Sequence, residues 1–295
     1  MKISIIAANT SQRGPGKVYQ HLMLGLNNFS GIVARTNDPV ADYFGYLQDT
    51  GVALQLDSTK TLFGPNLFVL PSENKSLCSH IKSMVVPSNW VLNLYRGYTE
   101  LDHVKIDVWS SGIDTKEWRP NSEIEKDLDC FVYFKNREEI ELKTITGQLD
   151  SLGLKYEVIR YGSYTENDLY KLCNRAKFAI LLTGTESQGI AYMQILAMNV
   201  PCYVFNKTIW TSEDGKVSVP ATSVPYFDNK CGVINNDNLI VDKKLCIRLS
   251  FDYRKLNIES YKTPRTYIEE QHNIITSAKK YIELDTNIKR NSCNC

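Results

Sequence analysis

Short apolar runs alternate with longer stretches whose apolar residues recur at helical spacing, and this rhythm predicts an α/β protein. Residues 2–8, 32–34, 53–56, 67–70, 84–86 and 104–109 have the length and composition of buried strands. Between the first two runs, Val18, Leu22, Gly25, Leu26 and Phe29 mark the inward face of a helix. A second helix begins at Pro87-Ser-Asn-Trp90, with Ser88 placed as its cap. Residues 121–129 are charged and aperiodic, which reads as a linker. The rhythm then restarts with strands over 130–134, 155–160, 178–182 and 202–205, and helices over 138–152, 166–175 and 187–198. Two mostly parallel sheets follow from this alternation, with ligand expected at their facing edges.

The most informative stretch is 183–201. A buried strand runs into a corner carrying Gly184, Glu186, Ser187 and Gly189, and Ile190, Met193, Ala197 and Val200 then recur at helical spacing, which predicts an amphipathic helix from about Ser187 to Met198. Asn199 and Pro201 stop that helix. Free backbone N–H groups at such a corner, at the positive end of a helix dipole, suit a phosphate. Gln194 lies on the same stripe as the small Ala191, where a ligand has room to approach. The first strand is also followed by a glycine-bearing loop, Gly14-Pro-Gly16-Lys17. That loop is not G-x-G-x-x-G, and a tight turn explains it equally well.

Composition narrows the class without choosing a chemistry. Hydrophobic residues make up 43% and charged residues 23% of the 295, the balance of a folded soluble chain. A formal net charge of +1 gives no electrostatic ground for a nucleic-acid partner. The apolar part of residues 1–6 is too short for a secretion signal and fits a first core strand better. Eight cysteines are scattered without a C-x-x-C pair, which fits a reducing, cytoplasmic setting. Asp127-Leu-Asp129 has the D-x-D form of a metal site, but it precedes its strand and reads as solvated charge. The Cys293-Asn-Cys295 end has the form of some lipidated tails, and a plain disordered end explains it better.

Three stretches, in order, resemble the retaining glycosyltransferases of family four. Glu186-Ser-Gln-Gly189, with a polar residue at 194, resembles the E-x7-E signature, with glutamine at its second position. Val86-Pro-Ser-Asn-Trp-Val-Leu-Asn-Leu-Tyr95 resembles the family's V-P-S-x-W-V segment. Gly112-Ile-Asp-Thr115, running to Trp118 and Pro120, resembles its inter-domain G-I-D-T segment. The resemblance implies a GT-B fold of two facing Rossmann-like domains: residues 1–120 on the acceptor side and 121–262 on the donor side. A helix over 263–285 would cross back onto the first domain, and 286–295 would form a flexible tail.

The resemblance further implies sugar transfer from a UDP- or GDP-sugar with retention, and with neither a metal nor another cofactor. Glu186 would contact the donor sugar near the reacting carbon. Lys135 or Arg137 would bind the diphosphate with the amides of Ser187, Gln188, Gly189 and Ile190, and Gln194 would meet the ribose. Gly162 and Tyr164, in the loop after a strand, would line the nucleotide. Gly14, Gly16 and Lys17 would serve the acceptor or a phosphate. The acceptor would be a glycan, lipid or protein, with peripheral membrane contact left open. The family's histidine at the tip of a first-domain strand has no counterpart, and together with Gln194 this motivates a second reading, a non-catalytic nucleotide-sugar-binding or assembly protein.

Overall fold

Consecutive burial, rather than alternation, marks the first strand: Ile3, Ser4 and Ile5 are all sealed from solvent in β1 (Lys2–Ala7). A strand buried on both faces belongs inside a parallel sheet covered by helices. The computed structural model describes residues 1–7, 14–48, 53–236 and 263–292. The chain divides into two units, Met1–Asp114 with Gln271–Cys295, and Thr115–Glu270.

In the first unit β1 is followed by α1 (Pro15–Leu26), β2 (Val33–Thr36), β3 (Tyr43–Gln48), β4 (Thr61–Phe63), α2 (Lys75–His80), β5 (Ser83–Val86), α3 (Asn89–Tyr95) and β6 (Lys105–Val108). The strands form one parallel sheet in the order β2-β1-β3-β4-β5-β6. Two of the expected strands are not strands. Residues 53–55 form a short 3-10 turn and 67–70 are irregular, while β3 and β4 take their places in the sheet. Strand β3 reads Tyr-Phe-Gly-Tyr-Leu-Gln, so glycine and tyrosines hide its apolar pattern. Gly45 is needed there, because a Cβ would run into the Tyr281 hydroxyl and Ile5. Ser88 occupies the cap position of α3, but its hydroxyl makes no capping bond.

The second unit contains β7 (Leu128–Lys135), α4 (Glu139–Ser151), β8 (Tyr156–Arg160), α5 (Glu166–Arg175), β9 (Ala176–Thr183), α6 (Ile190–Ala197), β10 (Cys202–Phe205), β11 (Ile209–Thr211), β12 (Ser218–Pro220), β13 (Gly232–Asn235) and α7 (Pro264–Gln271). Five strands make a parallel sheet ordered β13-β10-β9-β7-β8, and β11 and β12 pair as an antiparallel hairpin. On one face, Cys130, Val132 and Phe134 of β7 and Phe178, Ile180 and Leu182 of β9 pack with Leu142, Ile145 and Leu149 of α4. By the two-residue period of a strand, Tyr133 and Lys135 project from the opposite face.

The stretch expected as a linker is part of this unit. Asn121 N–H donates to Asn174 Oδ1 at 2.7 Å, and Lys126 Nζ donates to the Ala176 carbonyl at 2.5 Å. Two of its acidic residues are held by cations: Asp127 pairs with Arg175 at 2.8 Å and Asp129 with Lys177 at 2.8 Å.

The helical pattern near the C terminus is two helices, α7 and α8 (Ile274–Ser292), not one. Helix α8 belongs to the first unit and runs on to Ser292, past the expected end at residue 285. Helix α8 packs closely on α1 because Gly25 has no side chain, and a Cβ there would strike the Ile274 carbonyl and Ala278. The Gly112-Ile113 segment holds the returning chain. Ile113 N–H donates to the His272 carbonyl at 2.7 Å, and Ile274 N–H donates to the Ile113 carbonyl at 3.1 Å. Trp109 Nε1 donates to the Ser277 carbonyl at 2.9 Å, and its ring meets Tyr281 edge-on at 5.1 Å.

Candidate functional site

Strand order locates the site before any side chain does. From β7 the chain moves to its neighbour β8, then crosses to β9 on the other side of β7. The loops leaving β7 and β9 therefore turn to opposite faces of the sheet. A crevice opens between them at the carboxyl ends, the usual seat of a ligand in such sheets. Lys135 ends β7 and pairs in register with Thr183, which ends β9. The loop after β9 is drawn across by a bond from Gly184 N–H to the Lys135 carbonyl at 2.8 Å.

Lys135 and Glu186 meet over this crevice. Lys135 Nζ lies 2.8 Å from Glu186 Oε1 and 3.0 Å from Oε2, with the two side chains 18% and 12% exposed. Burial pushes the Glu186 carboxyl above the ordinary glutamate range, and the Lys135 charge and hydrogen bond pull it back. The lysine also sits 4.4 Å from the centre of the Tyr161 ring, a cation–π contact. Glu186 N–H donates to the Thr222 carbonyl at 2.9 Å, tying the corner to the segment after the β11–β12 hairpin. Ser223 Oγ strengthens that tie by donating to the Thr183 carbonyl at 3.1 Å.

The corner is a turn, and helix α6 starts only at Ile190, later than the expected residue 187. Ser187 is exposed, and Gln188 is buried with its amide 3.7 Å from Met193 Sδ. Gly189 caps the helix with φ +77°, and a Cβ there would collide with the Tyr192 ring. The turn delivers the first amides of α6 at the same edge of the sheet as Lys135, in reach of an anion by their dipole as well as by hydrogen bonding.

On the other side of Lys135, the loop after β8 carries Tyr161, Gly162 and Tyr164. Gly162 has φ +85°, which favours glycine. Tyr164 donates to the Tyr133 hydroxyl at 3.3 Å, and the two rings meet edge-on at 6.0 Å. Burial raises the Tyr164 phenol above its usual range, the Tyr133 bond opposes this, and the charges of Tyr161, Glu166 and Glu186 add to it.

Arg137 and Gln194 do not simply join this cluster. The Arg137 guanidinium is 8% exposed and lies along the carboxylate of Glu141, with Nε at 2.9 and 3.0 Å and Nη2 at 2.5 Å. Its Nη1 donates to the Thr183 and Phe205 carbonyls at 3.3 and 3.2 Å, fastening the ends of β9 and β10. Glu141 also accepts from the Glu138 N–H at 2.9 Å in a capping box that starts α4. Gln194 is buried, and its Nε2 donates to Glu166 Oε1 at 3.1 Å. Tyr161 and Glu166 were not singled out from sequence. The signal for both was position, since each lies at the carboxyl end of β8, beside the first strand of the unit.

Gly14, Gly16 and Lys17 belong to the first unit. Gly14 has φ +42° and precedes α1, Gly16 is buried and Lys17 is half-exposed. Residues 9–13 of the loop predicted before them lie outside the described residues, as do Cys293 and Cys295. Among the described residues no group of three or more His, Cys, Asp or Glu side chains is placed to hold a metal. No helix among them is long and apolar enough to cross a membrane.

No protein-family pattern matches the sequence, and no curated protein matches it. Solved structures do match in fold. The chain superposes on a sucrose-phosphate synthase from Thermosynechococcus elongatus with TM-score 0.61 and 11% identity, over 98% of this chain and 99% of that one. A glycosyltransferase from Rickettsia africae ESF-5 gives TM-score 0.60 and 13% identity over 98% and 99%. The lipopolysaccharide outer core galactosyltransferase WaaB, in its apo form, gives 0.56 and 11% over 97% and 99%. At these identities the likeness is one of fold: two Rossmann-like domains of the GT-B type.

Proposed function

We propose that this chain transfers a sugar from a nucleotide-sugar donor to an acceptor hydroxyl, with retention at the anomeric carbon and without a metal ion. The observation that carries the reading is the Lys135–Glu186 pair at the switch point of β7 and β9, beside the glycine corner. When the anomeric C–O bond breaks, its electron pair and the growing negative charge go to the departing diphosphate. Lys135, once it exchanges Glu186 for phosphate, and the amides of residues 188–190 would stabilise that charge. Glu186, drawn off the lysine as phosphate arrives, would orient the sugar and face the positive charge developing at its ring. The acceptor hydroxyl attacks and its proton passes to the departing phosphate.

The sequence resemblance and the shared fold support the same reading. The donor is a UDP- or GDP-sugar, and the acceptor a glycan, lipid or protein, with Gly14, Gly16 and Lys17 as its candidate contacts. The five described cysteines are all buried free thiols, which suits a reducing, cytoplasmic setting. Gln194 favours the second reading, a protein that binds nucleotide-sugars without turning them over. A transfer and hydrolysis screen with UDP- and GDP-sugars, with and without chelator, separates the two. Turnover that survives chelator and falls at least about a hundredfold in Glu186→Ala is the expected result. Binding without turnover supports the second reading, and activity lost to chelator overturns the metal-free mechanism.

A further inference from the structure

The resemblance points to position 194 for a ligand contact, yet the amide there is already committed. Gln194 is 3% exposed, and its Nε2 donates to Glu166 across 28 positions of sequence. A carboxylate only accepts, so the amide must turn its NH2 toward Glu166 and holds one carboxylate oxygen in place. Glu166 is half-exposed and opens α5, at the carboxyl end of the sheet. The loop that leads into Glu166 lays Tyr161 against Lys135, the partner of Glu186, and Gln194 ties Glu166 to the helix that follows the Glu186 corner, so both carboxylates belong to the same edge.

The edge therefore presents two kinds of recognition. Lys135 and the corner amides favour an anion. Glu166 repels phosphate and accepts hydrogen bonds from hydroxyls, and its two oxygens match a vicinal diol. Tyr161, half of whose surface is open, lies against Lys135 in the loop that leads to Glu166, and gives this side a flat aromatic surface suited to a nucleoside.

We propose that Glu166, oriented by Gln194, binds the vicinal hydroxyls of the ribose in a ribonucleoside diphosphate whose phosphates sit at Lys135. This rests on reading the Lys135 edge as a nucleotide site. Gln194 is then a positioning residue and Glu166 the group that touches the ligand. Glutamate at 194 would face the Glu166 carboxylate at hydrogen-bond distance, and like charges so close oppose each other's ionisation.

Calorimetric titration of the full chain with UDP and GDP, and with their 2′,3′-dideoxy forms, tests this. The wild type is expected to prefer the ribose forms by about tenfold or more. Glu166→Ala and the isosteric Glu166→Gln should bring that ratio close to one by weakening the ribose forms relative to the dideoxy forms. Gln194→Glu should lower the ratio as well, which a merely structural role for residue 194 would not do. A wild-type preference that persists in Glu166→Ala overturns the assignment and leaves the nucleotide site standing. So does a wild type that binds both forms equally. A wild type that binds neither nucleotide overturns the assignment together with the reading beneath it.

Discussion

Lys135 and Arg137 stand two positions apart, and their surroundings give them different work. Lys135 ends over the crevice against a carboxylate and a tyrosine ring, where an incoming anion can compete for it. Arg137 is enclosed by Glu141 and two strand-end carbonyls. Removing one partner of such a buried pair leaves the other charge uncompensated, at a cost of roughly 3–5 kcal/mol. Arg137→Ala should lower the urea unfolding free energy by about that much, and a loss below about 1 kcal/mol would contradict its bracing role. Sequence left Lys135 and Arg137 as alternatives for the phosphate because proximity to a strand end is legible and side-chain direction is not. The place of Glu186 in the turn between β9 and α6 was legible from the glycines around it. The Glu166–Gln194 contact was not, since nothing local links residues on two different helices.

At the scale of elements, the corner between β9 and α6 depends on one glycine. Gly189→Ala would place a side chain at φ +77° and against the Tyr192 ring, whose hydroxyl accepts from Tyr226 N–H at 2.9 Å. The strain of a left-handed non-glycine residue alone is about 1–2 kcal/mol. The steric displacement should distort the corner amides as well. A fall in thermal midpoint together with weakened UDP or GDP binding is expected, and wild-type values for both would show that the corner tolerates a side chain. Strands β7, β9 and β10 were readable because each is largely an apolar run, and β8 from its β-forming Tyr156, Val158 and Ile159. Strands β11 and β12 were not, because the hairpin is mostly exposed and three residues are too few to carry a period. Strand β13, four residues opening on Gly232, was equally silent.

At the scale of the whole molecule, the α/β class and the two-sheet plan followed from rhythm alone, while the path of the last helices did not. The junction at His272, between α7 and α8, is where pattern gave no warning. Its imidazole is buried, and its Nδ1 lies 3.1 Å from Ser110 Oγ. Burial, reinforced by the Lys280 charge, depresses its pKa from 6.5 to about 4. The folded state therefore holds His272 neutral while the unfolded chain takes a proton below about pH 6.5. Its contribution to stability is whole above that pH and falls away as pH drops toward 4, by up to ~3 kcal/mol. Urea unfolding of His272→Asn against wild type should show the difference shrink across this window, and a constant difference would contradict it.

The account as a whole turns on where a leaving diphosphate would rest, and a crystal structure of the chain soaked with UDP or GDP tests that most directly. The diphosphate is expected within hydrogen-bond distance of Lys135 Nζ and of the amides at residues 188–190, with Glu186 displaced from the lysine. A diphosphate bound elsewhere on the Thr115–Glu270 unit, with the Lys135–Glu186 pair undisturbed, would contradict it.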